Sequence, residues 1–210
     1  MKIIKFYLLI YLTVLFFQSS DTVNASTSNQ QLLKRGYPSS VIEKLDDDLK
    51  QSLLQKSDFY FIESSFTSML PETHNHKLDW VYSAKYNENN EIIAMDIIYF
   101  YEWINLPIWR LQDRITLSWM KTDFQLKPDS FVKVDLYDTL TTIGNIYSFE
   151  MGYANASPIN VSWYANLKGN YFIIVTKLYG YCQFELIPTE NVISVVPNFK
   201  ITYDHNIPFI

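Results

Sequence analysis

Lys77 to Trp103 reads KLDWVYSAKYNENNEIIAMDIIYFYEW. Its first part alternates: Trp80, Tyr82, Ala84 and Tyr86 stand between Asp79, Val81, Ser83 and Lys85. A period of two places successive residues on opposite faces of a strand. Asn87 to Glu91 is polar and reads as a hairpin loop. Ile92 to Trp103 then runs apolar almost without interruption, as a central strand covered on both faces does. Two strands joined by a short loop, with no helical period between them, set the fold class as mainly β.

The same pattern continues to the C-terminal side. Ile115, Leu117 and Trp119 alternate with Thr116 and Ser118, and Ile159, Val161 and Trp163 with Asn160 and Ser162. Cys182, Phe184 and Leu186 alternate with Gln183 and Glu185. Further strands are expected over 131–137, 146–151, 171–179, 192–196 and 199–203. Turn signals separate them at Lys127-Pro128-Asp129, Gly144-Asn145, Asn155 to Pro158 and Lys168-Gly169-Asn170. About nine short strands with regular turns predict an immunoglobulin-like antiparallel β-sandwich over 77–210. The aromatic content of 17% fits strands, which favour such rings.

On the N-terminal side the period changes. Val41, Ile42, Leu45, Leu49 and Leu53 recur at helical spacing after the break at Gly36-Tyr37-Pro38. Ser40 and Glu43 have capping-box spacing, and Asp46 and Lys50 form an i,i+4 pair. One amphipathic helix over about 40–56 follows, within a flexible start and helical element at 26–57. Asp46-Asp47-Asp48 reads as a solvated helix face, and 58–76 as a linker or first strand.

Residues 1–25 have the layout of a signal peptide. Lys2 and Lys5 precede an apolar run from Phe6 to Phe17, and Val23-Asn24-Ala25 supplies small residues at the cleavage position. The run is about 12 residues, short of the roughly 20 needed to cross a bilayer. The expectation is export, cleavage after Ala25, and a secreted or cell-surface protein with no stable membrane insertion. Cys182 has no cysteine to pair with, so the core alone must hold the exported fold. The net charge of −5, with Lys and Arg scattered, gives no basic field to attract nucleic acid.

The lone cysteine and the abundance of Asn, Lys, Ile and Tyr point to a bacterial source. The signal segment, the Leu32-Leu-Lys-Arg-Gly-Tyr-Pro38 stretch and the pattern Tyr101-x-Trp103, Pro107, Asp113, Ser118-Trp119 carry a resemblance. They resemble exported proteins of low-GC Gram-positive bacteria and their prophages. What the resemblance implies is location and host.

The functional expectation is a secreted, non-enzymatic interaction module whose partner is an extracellular protein or cell-wall glycan. Tyr99, Tyr101, Trp103 and Trp109 form the densest aromatic stretch and are its candidate binding residues, as a stacking platform if their rings reach the surface. The alternative is a secreted hydrolase. It would use Glu102 with Asp113, Asp135 or Asp138, or a metal gripped by His74 and His76 with His205 or a carboxylate such as Asp204 as third ligand. The second alternative is a toxin or bacteriocin-like factor using the amphipathic helix, which the acidic opposite face disfavours. Cys182 reads as a small buried hydrophobe. No nucleophile elbow, phosphate loop or dinucleotide fingerprint occurs, and no cofactor is expected.

Overall fold

A computed structural model describes residues 27–65, 76–103, 112–119, 124–153, 155–157, 159–166, 175–189 and 199–205. The segment 1–25 expected to be a signal peptide, His74, Trp109 and the strand expected at 192–196 lie outside the described residues. The chain divides into two compact units, Met1–Phe61 and Ile62–Ile210. Among the described residues no helix is long and apolar enough to cross a membrane.

The first unit is helical. Helix α1 (27–34) ends at Gly36, whose φ of 86° lets the amide groups of Gly36 and Tyr37 turn back to the carbonyls of Leu33 and Leu32. The single helix expected over 40–56 is in fact two, α2 (Ser39–Ile42) and α3 (Asp47–Gln55). The Asp triplet causes the division. Asp46 adopts an extended backbone and its carboxylate accepts from the Leu49 amide at 2.7 Å, while Asp47 and Asp48 occupy the positive first turn of α3. Asp46 is therefore a cap, not part of a helix face, and Lys50 pairs with Asp47 instead. Pro38 takes the cap position of α2, so the Ser40–Glu43 box is not made. Arg35 donates to the carbonyls of Leu53, Leu54 and Lys56, satisfying the C-terminal end of α3 with a cation. Leu32, Val41, Ile42, Leu45, Leu49 and Leu53, the apolar stripe read from the sequence with one addition, are buried.

The second unit is the expected antiparallel β-sandwich. Its strands are β1 (Tyr60–Ser65), β2 (His76–Tyr86), β3 (Ile92–Trp103), β4 (Gln112–Trp119), β5 (Phe124–Leu126) and β6 (Val132–Thr139), followed by β7 (Asn145–Met151), β8 (Asn155–Ser157), β9 (Asn160–Asn166), β10 (Val175–Pro188) and β11 (Phe199–His205). One sheet runs β1-β2-β3-β10-β6-β7, with β5 beside β10; the other runs β11-β4-β9-β8. Of the segments 171–179 and 182–186, expected as two strands, the described residues from Val175 onward form one long strand, β10, because Gly180 and Tyr181 continue its pairing with β3 and β6. The short β5 and β8 carry too few residues for a readable period. The loop from Asn87 to Glu91 is a tight hairpin in which Asn87 accepts from the amides of Asn89 and Glu91.

Core residues come from both sheets. Met95, Ile97 and Phe184 on one side meet Ile115, Leu117, Trp119 and Val161 on the other. The rings of Tyr82 and Phe199 lie 5.0 Å apart across the interface, and those of Phe131 and Trp163 5.8 Å apart. Cys182 is buried among them, and burial pushes its thiol well above the ordinary range. It acts as an apolar filler, as expected.

Candidate functional site

The aromatic residues of β3 do not form a surface platform. Tyr99, Tyr101 and Trp103 share the inner face with Ile97 and are at most 5% exposed. The correction has a simple cause: β3 lies between β2 and β10 near the middle of its sheet, where an inward ring gains most by burial. Their polar tips are all engaged. The Tyr82 and Tyr99 hydroxyls share a hydrogen bond of 2.5 Å. Burial raises both phenols well above the ordinary tyrosine range. Tyr101 donates to Asp135 at 2.6 Å. Its own phenol is held up by burial, then by that carboxylate.

Asp135 belongs to a charged group inside the sandwich. Lys133 and Asp135 alternate with the outward Val132 and Val134, which brings both to the inner face of β6. The Lys133 ammonium lies 2.9 Å from Asp135, donates to the Tyr164 carbonyl of the opposite sheet at 2.5 Å, and stands 3.5 Å from Glu150. Two hydrogen bonds and a second nearby carboxylate thus surround the ammonium, a setting in which a buried cation is tolerated. Gly180 leaves room for this: a Cβ there would lie 2.3 Å from the Val134 carbonyl oxygen and 2.7 Å from the Tyr101 ring. A second polar chain bridges the sheets at another point. The Trp103 indole donates to the Tyr203 hydroxyl, which donates to the fully buried Asp113.

The candidate acid–base carboxylates are therefore distributed over separate partners. Glu102 is on the outer face with Lys177 at 3.2 Å. Asp113 receives Tyr203, Asp135 pairs with Lys133, and Asp138 accepts from Tyr179 and the Gly144 amide. Arg114 and Asp204 hold each other on the surface. His76 begins β2 and His205 ends β11, and their side chains are outside the described set.

The feature that stands open to a partner is on the other edge. Among the described residues strand β7 is the last strand of its sheet, so one row of its backbone N–H and C=O groups has no described strand beside it. Its register against β6 shifts between Asp135 and Leu136: Ser148 pairs with Asp135 but Ile146 with Leu136. The extra residue, Tyr147, is a bulge, and its consequence is a change of face. Ile146 joins Phe149 and Met151 on the outer face, beside Leu136, Val134 and Val132. Without the bulge Ile146 would belong to the opposite face. All three are exposed, Met151 at 73%.

The hairpin tip extends this apolar edge. Leu140 and Ile143 lie in the connection between β6 and β7, and Ile143 is 84% exposed. The tip is nevertheless built firmly. The Thr139 hydroxyl accepts from the amides of Thr141 and Thr142, and the Thr139 amide donates to the Thr142 carbonyl at 2.7 Å. Gly144, at a φ of 71°, donates to Asp138. A polar, ordered scaffold thus presents large aliphatic side chains to water. The residues Leu140, Ile143, Ile146, Phe149 and Met151 were not singled out from the sequence. The available signal was two aliphatic residues in a connection that turn chemistry would fill with polar ones. No protein-family model, curated protein or solved structure matches this chain.

Proposed function

We propose that this protein is a secreted, non-enzymatic interaction module, released or held at the cell surface after loss of residues 1–25, that docks a protein partner along β7. The observation that carries the reading is a strand at the edge of its sheet among the described residues, with the exposed side chains of Ile146, Phe149 and Met151 on one face. An extended segment of another chain added to such an edge gains main-chain hydrogen bonds, and pockets between the side chains select its sequence. A polypeptide suits this surface better than cell-wall glycan. Sugars are recognised by flat aromatic faces, and the aromatic residues Tyr99, Tyr101 and Trp103 are in the core.

The reading is tested by fractionating the producing culture after chemical cross-linking. The wild-type protein is expected in a cross-linked complex with a second protein, and the double variant Phe149→Ser, Met151→Ser is expected free. If both are free monomers, or both are retained equally, β7 is not the docking edge.

A further inference from the structure

Strand β7 carries a charge as well as an apolar face, and the ladder geometry decides which of its groups a docked chain would meet. The Gly152 amide donates to the Phe131 carbonyl at 3.0 Å, and Met151 and Val132 are the next pair along. In an antiparallel ladder, hydrogen-bonded pairs alternate with pairs whose backbone groups point away from each other. Glu150 and Lys133 therefore bond through their backbones. Phe149 and Met151 turn their N–H and C=O groups the other way, to the side where no strand is described. The same two residues hold their side chains out on the outer face, at 59% and 73% exposure. Phe149 and Met151 thus offer a docked strand both hydrogen bonds and apolar contact.

Glu150 lies between them and projects from the opposite face of the strand. An antiparallel strand added beside β7 would form hydrogen-bonded pairs with Phe149 and Met151. Glu150 would then stand in the intervening non-hydrogen-bonded pair, where facing Cα atoms are about 4.5 Å apart and side chains meet most closely. Its carboxylate is half-exposed, and the Lys133 ammonium 3.5 Å away lies nearer to Asp135, at 2.9 Å. The stretch 132–151 holds three carboxylates, Asp135, Asp138 and Glu150, against one cation, Lys133, which is buried. The charge that this hairpin shows to water is therefore negative, and Glu150 places it where a docked side chain comes closest.

Resting on the reading of β7 as the docking edge, we propose that the segment it takes up is an antiparallel strand with large apolar residues at alternate positions and a lysine or arginine between two of them, set against Glu150. Opposite charges directly across a ladder stabilise it. The apolar residues on either side extend the layer formed by Val132, Val134, Phe149 and Met151. A second copy of this chain is a poorer occupant. The register that sets Phe149 against Met151 also sets Glu150 against its own counterpart, and like charges directly opposite destabilise a sheet.

The test uses the full chain and two capped peptides, Val-Thr-Val-Lys-Val-Thr-Val and the same peptide with Glu in place of Lys, in fluorescence-anisotropy titrations at low salt. The wild-type chain is expected to bind the lysine peptide more tightly by about fivefold or more. Glu150→Gln, which adds no cation beside Lys133, is expected to level the two affinities, and Glu150→Lys to reverse their order. Phe149→Ser with Met151→Ser is expected to weaken both peptides alike. Equal binding of the two peptides by the wild type, or a preference that survives Glu150→Gln, overturns the charge pairing, while loss of binding in the Phe149 and Met151 variant keeps β7 as the docking edge. Failure of both peptides to bind overturns the proposal, and binding that the double variant does not weaken counts against β7 as well. A wild-type chain that sediments as a dimer where the double variant is a monomer makes a second copy the occupant and overturns the proposal.

Discussion

Strands β3 and β7 belong to one sheet and are both rich in large apolar residues, yet they do opposite things. Strand β3 lies in the interior of the order and buries Tyr99, Tyr101 and Trp103 against the second sheet. Strand β7 lies at the edge and exposes Ile146, Phe149 and Met151. The contrast extends to polar groups. In the interior between the sheets charge is buried against partners, as Lys133, Asp135 and Tyr101 show. At the β6–β7 tip, hydroxyls and amides build the turn while aliphatic side chains face water. A strand's rank in its sheet, more than its composition, decides whether its apolar residues stabilise the fold or recognise something else.

Breaking the buried side of this comparison has the largest effect. Asp135→Ala takes the nearer carboxylate from the buried Lys133 ammonium, leaving Glu150 at 3.5 Å, and is expected to cost about 3 kcal/mol in urea unfolding. The double change Lys133→Met, Asp135→Leu removes both charges and is expected to recover most of that loss. Recovery would show that the penalty is uncompensated charge rather than lost packing. Gly180→Ala is expected to cost about 1–3 kcal/mol, because its Cβ meets a backbone carbonyl as well as the Tyr101 ring.

Alkaline titration probes the same region through its tyrosines. Burial raises Tyr82, Tyr99, Tyr101 and Tyr203 above their unfolded values. Stability from these groups is fully present below the ordinary tyrosine range. Above about pH 10 the unfolded chain loses their protons while the native chain keeps them, so stability falls as pH rises. Part of the tyrosinate absorbance is expected to rise only together with loss of secondary structure. Ionisation of all sixteen tyrosines with the fold intact would contradict the buried placement. The smallest effect belongs to the exposed strand: Phe149→Ser with Met151→Ser is expected to leave unfolding free energy within about 0.5 kcal/mol.

Most of the fold could be read from the chain because period-two alternation reports directly on two-faced strands. His76–Tyr86 and Ile92–Trp103 follow the pattern closely. The helix division could not be read from periodicity, since Leu45 and Leu49 keep helical spacing across it. Only the capping chemistry of Asp46 marks the break. The site was least legible. Alternation says that a strand has two faces but not which strands flank it, so β3 and β7 could not be ranked. The bulge that turns Ile146 outward is a property of register with β6, which adjacent sequence does not encode.

Hydroxyl-radical footprinting of the isolated chain and of its cross-linked complex from culture tests the contrast most directly. The account predicts strong labelling of Phe149 and Met151 in the isolated chain, their protection in the complex, and little labelling of Tyr99, Tyr101 and Trp103 in either. Labelling of the β3 aromatics as readily as Met151 in the isolated chain, or no protection of β7 in the complex, would contradict it.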